Sequence, residues 1–100
     1  QKSVSVGDEG VLGWADEPTM PILGAVDKAV FNKLIKASIA RDFDSVAGLL
    51  TSGKIAVLDM GTRVLVIRTG WRKALVRVRI LEGQYVGRTF WVMTEAVQRR

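Results

Sequence analysis

Residues 61–97 constrain the fold more than any other stretch, because they contain three short β-strand patterns joined by tight connections. In 75–81, Leu-Val-Arg-Val-Arg-Ile-Leu, apolar side chains alternate with Arg77 and Arg79. Successive side chains on a strand point to opposite faces, so both arginines are predicted on one solvent face. Because no helical period separates the three runs, we predict an antiparallel meander. The runs are 63–68, 75–81 and 88–93.

Further strands are predicted on either side of a helical region. A loose alternation over 4–14 predicts a first strand interrupted by glycines, and Pro18 and Pro21 predict a loop after it. Residues 54–58 predict another strand, which leads into the central stretch.

Two short helices are predicted within about 27–53. The first follows an apolar stripe at spacings of three and four residues, with Asp27 as its N-cap. Asp42 and Asp44 could form a paired-carboxylate site, but we favour capping of the second helix, which is predicted to end at Gly53. Neither helix is long enough to be stable alone, so both are expected to pack on the sheet.

Composition limits the chemistry. The 100 residues, 1–100, predict a single small domain. The chain has no cysteine and no histidine, which excludes thiolate chemistry, zinc–thiolate sites and a histidine-activated serine. We therefore predict no enzyme activity and no cofactor. No apolar run approaches the roughly 20 residues of a membrane-spanning helix.

Charge is unevenly distributed along the chain. Residues 1–27 hold five acidic residues and one lysine, a balance of −4, whereas residues 28–100 hold 14 basic and five acidic residues, a balance of +9. This asymmetry could attract an anionic partner or let an acidic first segment lie against a basic body. We favour the second interpretation.

One stretch has the spacing of a phosphate-binding loop. Gly48, Gly53 and Lys54 match its glycine and lysine positions, but Ile55 stands where a Ser or Thr must reach Mg²⁺. A phosphate loop also leads from a strand into a helix N-terminus, whereas this segment is predicted to leave a helix and enter a strand. We interpret Gly53 as a helix C-terminal residue instead.

Three motifs of the C-terminal half share an order and spacing. They are Gly-Thr-Arg-Val-Leu-Val at 61–66, a valine/arginine strand ending in Glu-Gly at 76–83, and Gly-Arg-Thr-Phe-Trp-Val at 87–92. Together they resemble the bacterial SH3-like domain family. The resemblance implies an α+β fold, a five-stranded SH3-like β-barrel with a two-helix insertion after the first strand. It also implies a 3₁₀ turn at 94–97 and a last strand at 98–100.

The sequence departs from that family at its ligand groove. Phe90 stands where glycine usually precedes the tryptophan, and Met93 and Ala96 replace the proline and tyrosine of peptide-binding SH3 domains. Because a polyproline helix is bound by a row of aromatic rings, these departures argue against its recognition.

The resemblance implies a non-catalytic binding or interaction module of an extracytoplasmic or cell-envelope protein. Its expected partner is a protein or a cell-wall peptide or glycan. The alternative is a nucleic-acid-binding module, because 78–88 also resembles KOW-type modules and because basic residues interleaved with rings bind single strands and RNA. The candidate ligand-binding residues are Trp71, Arg77, Arg79, Tyr85 and Trp91.

Overall fold

The computed structural model describes residues 4–16, 20–70 and 74–99. Over these residues the chain forms seven strands in one open antiparallel sheet, in the spatial order β3-β2-β6-β5-β4-β1-β7. β3 and β7 are therefore its edges. The strands are β1 (Glu9–Leu12), β2 (Ile22–Ala25), β3 (Ile55–Leu58), β4 (Arg63–Thr69), β5 (Leu75–Ile80), β6 (Thr89–Met93) and β7 (Val97–Arg99).

Two helices connect β2 to β3. They are α1 (Lys28–Ile39) and α2 (Phe43–Thr51), and they lie within the segment predicted to be helical. A 3₁₀ turn, Thr94–Ala96, precedes the last strand, as predicted.

The predicted fold class is wrong. The sheet has seven strands and is open, not a closed five-stranded SH3-like barrel, and the helices follow the second strand, not the first. The strand that the sequence reasoning missed is β2, which pairs antiparallel with β3. Its four residues follow Pro21 directly and include Gly24, two features typical of a loop. Long-range pairing overrides this local preference.

The predicted helix ends are confirmed. Asp27 Oδ1 accepts a hydrogen bond of 2.8 Å from the Val30 backbone N–H, which caps α1. Asp42 caps α2, with Oδ1 accepting from the Ser45 N–H at 3.2 Å and Oδ2 accepting from the Ser45 hydroxyl at 2.6 Å. Gly53 follows the end of α2 with a φ of 78°, a left-handed conformation that glycine adopts without strain.

The capping of α2 should depend on pH. The hydroxyl of Ser45 and then its backbone N–H lower the pKa of Asp42 from its ordinary value of 3.8. A folded-state pKa below the unfolded one means that the carboxylate stabilises the fold above pH 3.8, and that this stabilisation is lost as the pH falls through the folded value. We expect Asp42→Ala to lower the melting temperature at pH 7 and to have much less effect at acid pH, in thermal unfolding followed by circular dichroism. Ser45→Ala should shrink the pH dependence, and a constant difference from pH 2 to pH 7 would contradict this account.

One face of the sheet, the inner face, carries the main core. Alternate residues of the three central strands point to this face and are buried, which confirms the period-2 pattern of 75–81. Residues of both edge strands join them. The fully buried members of this core include Val64, Val66, Val76, Val78, Phe90 and Val92.

The other face, the outer face, is partly covered by α1. Val30, Phe31 and Leu34 of the helix pack with three residues of the sheet to form a second buried cluster. The helix therefore docks on the sheet through the apolar stripe seen in the sequence. The sheet residues are Ala25, Ile55 and Trp91.

Candidate binding surface on the outer sheet face

Arg77 and Arg79 lie where the alternation of β5 predicts. Both are on the outer face, opposite the core valines, with Arg79 exposed and Arg77 half-buried. Across the sheet, Arg79 lies between Leu65 of β4 and Thr89 of β6. The predicted arginine-bearing strand face is therefore present.

A third arginine reaches this face through an irregularity in β4. Val66 lies opposite Val78, but the register then shifts, and Arg68 lies opposite Arg77. In an unbroken ladder Ile67 would lie opposite Arg77, and Arg68 would point to the inner face. The extra residue of a β-bulge turns such a side chain to the other face. We call Arg68, Arg77 and Arg79 the arginine face.

The arginine face has no acidic partner among the described residues. The ion pairs found there, Arg63–Glu9 and Arg99–Asp8, each at 3.8 Å, include none of its three members. Arg77 donates from Nε and Nη2 to the Thr89 hydroxyl, at 3.3 and 3.0 Å. This bond holds the Arg77 guanidinium against the sheet, and no acidic side chain of 4–16, 20–70 or 74–99 forms an ion pair with it.

The acidic first segment does contact the basic body, through Asp8 and Glu9 of the region around β1. The arginines that they pair with belong to β4 and β7, the two strands next to β1. Over the described residues this segment does not pair with the arginine face.

The rings predicted beside the arginines are packed elsewhere. Trp91 is only 5 % exposed and lies under α1, with the Lys28 ammonium 5.3 Å from its ring centre. Tyr85 packs against the inner core, with its ring edge-on to Phe90 at 5.5 Å. Trp71 lies outside the described residues. Thus Arg77 and Arg79 come together, whereas Tyr85 and Trp91 present no open ring to a ligand at the arginine face.

The phosphate-loop spacing lies at the end of a helix and not at its start. Gly53 and Lys54 follow the end of α2, and Lys54 directly precedes β3. The residues with the phosphate-loop spacing therefore span a helix C-terminus. In 4–16, 20–70 and 74–99 no three acidic side chains come together as a metal site. No helix there has both the length and the apolarity to cross a membrane.

Comparison with protein-family models, with curated proteins and with solved structures gave no match. The relationship to SH3-like domains and the extracytoplasmic location stay predictions from the sequence.

The sequence contained a signal for Arg68 that the pattern analysis missed. In Arg-Val-Leu-Val-Ile-Arg, Arg63 and Arg68 are an odd number of residues apart. Strict alternation would therefore place them on opposite faces of the strand and bury one of them. A charged residue at a core position of an otherwise regular strand indicates a bulge. This inference requires only the spacing of Arg63 and Arg68 along the strand.

Proposed function

We propose that the chain is a non-catalytic binding module whose arginine face takes an acidic segment of a partner protein. The observation that carries this proposal is the placement of Arg68 directly opposite Arg77, with no ion pair to either arginine in the part of the chain that the structure describes. Like charges directly opposite each other on neighbouring strands are destabilising. A bound carboxylate removes this repulsion, because it pairs with both guanidinium groups.

The surroundings of the arginines favour a protein partner over a nucleic acid. Leu65 is half-buried and Met93 is 39 % exposed, and by strand alternation both belong to the outer face. Arginine and methionine are enriched at protein interfaces. Binding of single-stranded nucleic acid relies on open aromatic rings, whereas Trp91 is packed under α1.

Titration of two fluorescent probes tests the proposal: an acidic peptide of Asp, Glu and Leu, and a single-stranded RNA oligomer. We expect Arg68→Gln/Arg79→Gln to weaken peptide binding by about tenfold or more, because charge-assisted contacts are lost. Both side chains are exposed, so the fold should persist. The matched control is Lys33→Gln/Lys36→Gln on α1, which removes the same charge and should leave binding nearly unchanged.

The salt dependence separates the two partner classes. One contrary outcome is that, at moderate salt, the RNA binds more tightly than the peptide and loses this binding in the arginine variant. That result would support the nucleic-acid alternative in place of our proposal. Equal weakening by the arginine and lysine variants would show only the general attraction of a +5 chain for polyanions.

A further inference from the structure

A groove of about 580 Å³ lies between α1 and α2. Along α2 its lining extends from the cap residue Asp42 to Ser52, which corresponds to about 15 Å of helix. Sites for small molecules typically have volumes of about 300–1,000 Å³. The groove therefore has the length and the volume to hold a small organic molecule.

The two ends of the groove differ in charge. Ala40 and Asp42, from the connection between the helices, line one end. At the other end the Val26 N–H, just before α1, donates to the carbonyl of Lys54, just after α2, at 3.0 Å. The helices are thus antiparallel, with Asp42 at one end of the groove and Lys54 at the other. Both carboxylate oxygens of Asp42 already accept hydrogen bonds from Ser45.

Three lysines line the groove, and they are its available hydrogen-bond donors. Lys33 and Lys36 are three residues apart on α1, so they are neighbours on one side of the helix, and Lys54 joins them from the other helix. None of the three forms an ion pair with the residues that the structure describes. The Ser52 hydroxyl, also in the lining, donates to the Leu49 carbonyl at 3.1 Å. A ligand in the groove would therefore meet the lysine ammonium groups.

The groove has an apolar floor that includes a glycine. Ala37 is buried and Leu49 is half-buried. Gly48 lies inside α2, where glycine is less favourable than alanine, yet a Cβ atom there would meet nothing within 4 Å. Contacts within the chain thus do not require this glycine. A glycine also allows the backbone to come close to a ligand, and Gly48 lies where a ligand in the groove would be.

We propose that this groove binds a small phosphomonoester with an apolar body. The phosphate lies between the ammonium groups of Lys33, Lys36 and Lys54, because lysine binds phosphate as a compact point charge. The apolar body lies on Ala37 and Gly48. The groove shares no lining residue with the arginine face, so this site is additional to the one proposed for an acidic segment.

The charge of the lining favours a phosphomonoester over a carboxylate. Three lysines and Asp42 give the groove a balance of +2. A phosphomonoester carries about −1.5 to −2 near pH 7, whereas a single carboxylate carries −1. The phosphate therefore neutralises the lining more completely.

Titration of the isotope-labelled chain with naphthyl phosphate, followed by NMR at physiological salt, tests the proposal, because salt screens the general attraction of a +5 chain for anions. We expect the amide signal of Gly48 to shift, and Lys33→Gln/Lys54→Gln to weaken binding by about tenfold or more, since charge-assisted hydrogen bonds are lost. Naphthol, which lacks the phosphate, and inorganic phosphate, which lacks the apolar body, should each bind at least about tenfold more weakly. The matched control is Arg63→Gln/Arg99→Gln, which removes the same charge at exposed side chains and should leave binding unchanged.

A second variant blocks the groove without removing charge. Gly48→Leu should weaken the binding of naphthyl phosphate by about tenfold, because its side chain occupies the place of the ligand. It should not lower the free energy of unfolding in urea, since leucine is the better helix former. Unchanged affinity in Gly48→Leu or in Lys33→Gln/Lys54→Gln would overturn the proposal. So would signal shifts confined to β4 and β5, which would assign the anion to the arginine face.

Discussion

Replacing Phe31 with alanine should lower the free energy of unfolding by about 3–5 kcal/mol. Phe31 is 3 % exposed and packs in the cluster that joins α1 to the outer sheet face. Alanine would leave a cavity between the helix and Trp91. The loss is a large part of the roughly 5–15 kcal/mol that stabilises a typical domain.

Urea unfolding followed by circular dichroism measures this change. The control is Asn32→Ala, on the exposed side of the same helix, which should be neutral or slightly stabilising because alanine is the better helix former. If Phe31→Ala unfolds at the same urea concentration as the parent, α1 is not docked on the sheet in solution. Both the second core cluster and the placement of Trp91 would then be wrong.

Gly24→Ala should also destabilise the fold, by about 1–3 kcal/mol. Gly24 lies on the inner face of β2, where a Cβ atom would come within 2.8 Å of Phe90 Cβ and 2.9 Å of Leu58 Cδ1. Phe90 is fully buried at the centre of the core, so it cannot move aside without displacing its neighbours. The strand β2 would have to separate from the core.

Gly48→Ala provides a matched control with the opposite sign. A Cβ atom at Gly48 would meet nothing within 4 Å, and the residue lies inside α2. Alanine there should stabilise the fold by roughly 0.5–1 kcal/mol, because glycine is the less favourable helix residue. Unfolding free energies that change in the same direction for both variants would contradict the tight contact of β2 with Phe90.

The local elements could be predicted from the sequence, whereas their arrangement could not. Capping by Asp27 and Asp42, the end of α2 before Gly53 and the outward side of Arg77 and Arg79 all follow from short-range rules. The strand Ile22–Ala25 depends on partners 30 to 36 residues away in 55–58. No local pattern specifies such pairing.

The candidate site was partly predicted for a related reason. Trp91 shares the outer face with Arg77, its neighbour across the β5–β6 pair, as alternation requires. Whether the Trp91 ring is accessible to a ligand depends on where α1 lies on the sheet. An amphipathic stripe indicates that a helix is docked, but it does not indicate which strands the helix covers. Tyr85 belongs to a connection, where alternation makes no prediction.

The bulge in β4 decides on which face of the sheet a charge lies. Arg68 lies opposite Arg77 because the register of the ladder passes over Ile67. Regular pairing of the same residues would turn this guanidinium toward the inner face, whereas a chain lacking Ile67 would pair regularly and keep the arginine opposite Arg77. An alignment of relatives should therefore allow a one-residue gap at Ile67, because a chain with the gap and a chain with the bulge place the same arginine on the same face.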